Sequence, residues 1–269
     1  MRESAGATEP AGVTEPAALP RPAALPRPAE APQPAEANRP LRVMTWNLHA
    51  LGTPWLTTRR CVDAVVGVLR DTVPDVVGVQ ERPLGPLGRW RLRRVARRAG
   101  LRVVVGGGAS RTTALLVRVD LPSDQAAAYR LPWELPRTRR GASTARVLSG
   151  GDPVRLVVVH LGLDAGERER HLRLLLDRLP RTEPWVLLGD VNEVPDQPSW
   201  RTLLAQGLTD AAADAGPTFP ASAPAQRIDA VLVGYGLRVT AARVLDVPAA
   251  RVASDHLPVV VDLVAGEER

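Results

Sequence analysis

Short runs of Val, Leu and Ala recur along this chain, and run after run breaks off at an Asn, Asp, Glu or His. Leu41-Arg42-Val43-Met44-Thr45-Trp46 meets Asn47, and Asp75 to Val79 meets Gln80-Glu81. Residues 154 to 159 meet His160, and Trp185 to Leu188 lead into Gly189-Asp190. These runs have the length of strands rather than helices. With only 3% aromatic residues in 269, the core has to be Val, Leu and Ala packed in layers.

Helical spacing occurs between the strands. Thr57 to Arg70 places Val62, Val65, Val66 and Leu69 on one face; residues 89 to 98 make a very basic helix; 166 to 179 and Ser199 to Gln206 complete the set. Further strands are expected at Leu101 to Val105, Ala114 to Val119, 228 to 233, 237 to 245 and 258 to 264. Residues 143 to 148 and 154 to 159 read as a hairpin with Gly150-Gly151-Asp152-Pro153 as its turn. The pattern predicts an α/β (α+β) layered domain with largely antiparallel sheets. Gly106-Gly107-Gly108 follows a strand but lacks the spacing and Lys-Thr end of a phosphate loop, so it reads as a turn.

Residues 1–40 repeat Ala-Leu-Pro-Arg-Pro-Ala and Glu-Pro-Ala units and read as a disordered, Pro/Ala-rich tail ahead of one domain at 41–269. A single cysteine, Cys61, excludes an internal disulfide framework and a thiolate metal cage, and reads as a packing residue. No apolar run approaches the ~18 residues of a transmembrane span, and the N-terminus lacks the apolar core of a secretory signal, so a soluble, cytoplasmic monomer is expected. The net charge is +6, and every basic residue is arginine. The tail holds five acidic and four basic residues, so the positive charge belongs to the domain. That field attracts polyanions, although an Ala-, Arg-, Gly- and Pro-rich composition also follows from GC-rich coding.

The polar residues at strand ends form a coherent set: Asn47, Glu81, His160, Asp190 with Asn192, Asp229, and Asp255 with His256. Strand ends along one sheet edge can meet in one pocket. Carboxylate and amide oxygens suit Mg²⁺, Mn²⁺ or Ca²⁺, and histidines move protons or bind anions. Phosphodiester hydrolysis needs this chemistry, because an anionic ester repels hydroxide and gains most from charge neutralisation and positioning.

Thr45-Trp46-Asn47, Gln80-Glu81, His160-Leu161, Gly189-Asp190-Val191-Asn192, Arg227-Ile228-Asp229 and Ser254-Asp255-His256-Leu257-Pro258 occur in this order. Together they resemble the motifs of the endonuclease/exonuclease/phosphatase family, the DNase I-like metal-dependent phosphoesterases, over residues 41 to 264. The resemblance implies a four-layer sandwich of two packed mixed β-sheets flanked by helices. It implies Mg²⁺ or Mn²⁺ as cofactor, with Asn47, Glu81 and Asp255 at the metal. Asp190 and Asn192 would orient the attacking water and the phosphate, Asp229 would hold the His256 imidazole, and His160 would face the scissile phosphate. Asp190 and His256 both remain open as the general base. Arg140 stands where family members often place an arginine near the substrate phosphate; Arg111 is a weaker candidate.

One departure is His49, where certain DNA-repair members carry an acidic metal ligand; it lines the pocket or lies on the surface. No tyrosine matches the pocket tyrosine of several nucleases, as Tyr129 and Tyr235 are poorly placed. His171, mid-helix beside charges, reads as solvated, and the Arg89 to Arg98 helix as an exposed face or a nucleic-acid surface. Three functions follow: a DNase I-type nuclease on nucleic acid; a phosphoesterase of the same fold acting on a small or lipid-linked phosphoester, sphingomyelinase-like or inositol-phosphatase-like; and a catalytically silent binding module.

Overall fold

The computed structural model describes residues 39–51, 59–179 and 182–266, all within one unit spanning Pro32–Arg269. The tail expected at 1–40 therefore lies outside the described residues except for its last two, and so do the first two residues of the helix expected from Thr57.

In chain order the elements are β1 (Leu41–Asn47), α1 (Arg59–Thr72), β2 (Val76–Gln80), α2 (Gly85–Arg98), β3 (Leu101–Gly106) and β4 (Ala114–Arg118). Then come β5 (Ser123–Arg130), β6 (Gly141–Ser149), β7 (Asp152–His160), α3 (Ala165–Arg178), β8 (Trp185–Asp190) and α4 (Pro198–Leu204). The chain finishes with β9 (Thr209–Asp210), β10 (Asp229–Val233), β11 (Leu237–Val244), α5 (Pro248–Ala253) and β12 (Val259–Ala265).

Among the described residues twelve strands form two six-stranded sheets, ordered β11-β12-β1-β2-β4-β3 and β5-β6-β7-β8-β10-β9. Each is mixed: β1–β2 and β7–β8 pair in parallel, and every other pairing is antiparallel. A parallel pair needs a crossover, and here α1 links β1 to β2 while α3 links β7 to β8.

Val43, Val76 and Leu115 of one sheet meet Leu156, Val158 and Leu188 of the other in a central core. On the outer face of the first sheet, Met44, Trp46 and Val79 pack with Val65, Leu69, Leu92 and Ala253 of α1, α2 and α5. On the outer face of the second, Val157, Val159 and Leu187 pack with Leu172, Leu175 and Trp200 of α3 and α4. The result is the four-layer sandwich, helices outside and sheets inside. Strands buried on both faces have no polar side to show, hence continuous apolar runs rather than alternation.

The expected hairpin is present, but its turn is shorter. Ser149 pairs with Asp152, leaving Gly150 and Gly151 as the two turn residues at φ 62° and 99°. Asp152 and Pro153 are strand residues. Leu188→Ala, in the central core, is expected to cost about 2–5 kcal/mol, measured by urea unfolding monitored with circular dichroism. An unchanged midpoint would contradict the inter-sheet packing.

Candidate active site

Topology brings the polar strand ends together. Asn47 closes β1, Glu81 follows β2, His160 closes β7 and Asp190 closes β8, all at the carboxyl edge of the two parallel pairs. Asp229 opens β10, which runs antiparallel to β8 with Asp229 directly opposite Asp190. Asp255 and His256 lie between α5 and β12, and β12 runs antiparallel to β1, returning them to the same edge.

Cross-connections lock these turns. The Leu48 N–H donates to Gln80 O at 3.0 Å and Ala50 N–H to Glu81 O at 2.7 Å. The Ser254 hydroxyl donates to Asn47 O at 2.6 Å, and the Trp46 indole N–H to His256 O at 3.0 Å. Left-handed backbone concentrates here: His49, Ala50, Leu51, Glu81 and Asn192 all have positive φ. Such conformations are costly for residues with a Cβ and persist only where the surroundings over-determine them.

Asp190 is the centre. It is buried; its Oδ1 accepts the Asn192 N–H at 2.9 Å and its Oδ2 accepts the Asn47 Nδ2–H at 3.0 Å. His160 Nε2 lies 3.5 Å and His256 Nε2 3.9 Å from the same Oδ2. Burial, with Asp229 adding to it, pushes the Asp190 carboxyl up to about 7. His256 Nδ1 lies 2.8 Å from Asp229 Oδ2. Burial alone would lower the His256 imidazolium, but Asp229 outweighs it and raises the group to about 9. Phe219 covers the His256 ring at 4.8 Å. His160 is held well below the usual histidine range by burial and then by Arg140, and its Nδ1 has no hydrogen-bond partner among the described residues.

Glu81 and Asp190 share one cleft, because His160 Nε2 is also 4.0 Å from Glu81 Oε1. His49 lines it: its Nδ1 lies 3.1 Å from Asp255 Oδ2 and 3.9 Å from Glu81 Oε2, and its N–H donates to Asn47 Oδ1 at 3.0 Å. Arg140 is buried, with Nη1 unpartnered among the described residues; burial lowers it while Asp190, Glu167 and Glu81 act to hold its charge. Asn192 sends its side-chain amide to Leu161 O at 2.9 Å, so it braces the His160 turn.

The donor set fits a hard divalent cation. Glu81 and Asp255 are partly exposed carboxylates with no arginine partner among the described residues and only the His49 imidazole between them. The Asn47 amide oxygen faces that same residue. Deeper, Asp190, Asp229 and His256 bring ligand atoms within 4.8 Å of one another, and Asp229 Oδ1 is a buried oxygen without a partner among the described residues. Oxygen-rich sites of this kind suit Mg²⁺ or Mn²⁺.

His171 corrects the reading of it as solvated: it is fully buried, with Nε2 3.0 Å from Pro132 O and 3.7 Å from Glu167 Oε1. The segment before Arg140 passes over α3 and covers it, a contact that helical periodicity does not register. Phe219 and Thr218, whose hydroxyl accepts the Asp229 N–H at 3.4 Å, were not foreseen either. Their only signal was that Phe219 is the sole phenylalanine. Arg227, beside Asp229 in the sequence, instead grips Asp210 at 2.6 Å over the Trp200 ring.

The four-layer sandwich with this carboxylate, amide and histidine edge defines a DNase I-like phosphoesterase fold. A family model described as the endonuclease/exonuclease/phosphatase family matches residues 44–256, and the chain belongs to that family. Solved structures agree. An endonuclease/exonuclease/phosphatase from Bacteroides vulgatus aligns with TM-score 0.72 at 19% identity, covering 84% of this chain and 99% of that one. One from Beutenbergia cavernae aligns with TM-score 0.64 at 27% identity, covering 85% and 72%. The mannosyl-6-phosphatase of Bacteroides thetaiotaomicron aligns with TM-score 0.68 at 21% identity, covering 83% and 99%. A comparison with curated proteins returns no match. Among the described residues no helix is long and apolar enough to cross a membrane.

Proposed function

We propose that the chain is a divalent-metal-dependent phosphodiester hydrolase acting on nucleic acid. The observation that carries this reading is the convergence of Asn47, His160 and His256 on one oxygen of the buried Asp190 carboxylate. Asp190 accepts the proton of the attacking water at Oδ2, the oxygen on which Asn47 and both histidines converge, while Oδ1 accepts the Asn192 N–H. His160, with its proton on Nε2, donates to a phosphate oxygen. His256, kept cationic and oriented by Asp229, offers Nε2–H to the charge that develops on the phosphate and leaving oxygens. Arg140 supplies its Nη1, which has no partner among the described residues, to a phosphate oxygen. Mg²⁺ or Mn²⁺ held by Asn47, Glu81 and Asp255 supplies charge neutralisation when bound. The intact set argues against a silent binding module, and the domain's excess of arginine supports a polyanionic substrate.

A second reading, a small or lipid-linked phosphoester, is favoured by the short connections around the cleft. Glu81 is followed after three residues by α2, and Asn192 after five by α4, leaving little chain to grip a duplex. Incubation with plasmid DNA, bis(p-nitrophenyl) phosphate and sphingomyelin, each with Mg²⁺ or EDTA, tests both. Cleavage of DNA that EDTA abolishes is expected. Turnover of sphingomyelin alone would replace the first reading by the second, and turnover of nothing would leave the binding module.

A further inference from the structure

Two arginines that follow Glu81 in the sequence, Arg82 and Arg89, have no ion-pair partner among the described residues. Arg82, directly after Glu81, is only 5% exposed; its Nη1 donates to Pro83 O at 3.0 Å and its Nε has no partner among the described residues. Arg89 of α2 reaches the same place. A Cβ on Gly107 would fall 2.9 Å from Arg89 Cδ and 3.8 Å from Arg82 Nη2. Neither forms an ion pair among the described residues, whereas Arg98, Arg118, Arg155, Arg168 and Arg227 each hold an acidic partner. A third, Arg111, sits on the same loop at φ 52°, again with no ion pair among the described residues. The same loop packs against the first residue of β6, directly after Arg140: a Cβ on Gly141 would lie 2.2 Å from Ala109 O. Arg140 and the Arg82–Arg89 pair therefore flank one loop, Arg140 on the side of Asp190.

A buried guanidinium stays charged, and setting it beside a like charge without an anion is unfavourable. The planar fork of arginine matches phosphate. We infer that Arg82, Arg89 and Arg111 form a second anion subsite, which takes a phosphate of the substrate neighbouring the one at Arg140. The inference rests on the hydrolase reading and narrows its substrate to molecules with more than one phosphate. A nucleotide chain and a polyphosphorylated small molecule share that chemistry.

Calorimetric titration in Mg²⁺, in an Asp190→Asn background that leaves the ligand intact, tests it. The ligands are thymidine dinucleotide and trinucleotide, with one and two phosphates, and inositol mono- and bisphosphate. In at least one series the second phosphate is expected to tighten binding about tenfold, and that series identifies the source. Arg89→Ala with Arg111→Ala, both outside the core, is expected to cut the gain below twofold, and Arg89→Lys to keep part of it. Arg82→Met, checked for native circular dichroism, is expected to act as the pair does. No gain in either series, or a gain that survives the double substitution, overturns the subsite. The hydrolase reading is judged separately, on turnover by the wild-type protein, so either can fail alone.

Discussion

Asp190→Asn is expected to lower kcat on any accepted phosphoester by about 10³-fold or more, without lowering the melting temperature. The amide keeps the shape of the side chain, but it can no longer take a proton from water or complete the charge pattern facing the phosphate. Stability runs the other way. The native carboxylate is buried opposite Asp229, and that surrounding raises it to about 7, so its ionised form is disfavoured in the folded state. Neutralising it removes a repulsion that outweighs the one accepted N–H bond an amide gives up. Single-turnover kinetics with a calorimetric melt provide the check; a fall in both activity and melting temperature would make Asp190 a structural residue.

Asp229→Asn is the second large effect, expected to cost about 10²-fold in kcat and to change how stability depends on pH. In the wild type His256 rises to about 9 in the folded protein from an ordinary 6.5. A raised histidine stabilises fully below 6.5, and that contribution is lost as pH climbs through 9. Melts in EDTA should therefore decline across that window, by on the order of 3 kcal/mol in all. The raised Asp190 carboxyl acts with the same sign lower down, between 3.8 and 7. With asparagine at 229 the upper decline should flatten, because burial then lowers the imidazolium with less to oppose it. A wild-type curve flat from 6.5 to 9 would contradict the Asp229–His256 pair as the source of the shift.

Much of the scaffold was legible because the two-sided burial of β1, β2, β7 and β8 forces continuous apolar runs, and these stop where the backbone leaves the sheet. Elements without that signature escaped. β5, Ser-Asp-Gln-Ala-Ala-Ala-Tyr-Arg, is an edge strand with much of its surface exposed, and α5 is six residues with a proline at its start. The basic helix begins at Gly85, four residues before its arginines, because Leu84 and Leu87 are exposed and carry no helical stripe.

The order and spacing of the polar residues determined by themselves which groups could do phosphoester chemistry, since residue type fixes what an atom can donate, accept or ligate. Tertiary structure alone decided what each touches. Asn47 turning its amide to Asp190 across 143 positions, His49 lying between Glu81 and Asp255, and His171 going under cover are consequences of two sheets closing face to face. Register sets those contacts, and burial sets the charges, because the cost of ionising Asp190 or His160 depends on the water that the closing sheets exclude.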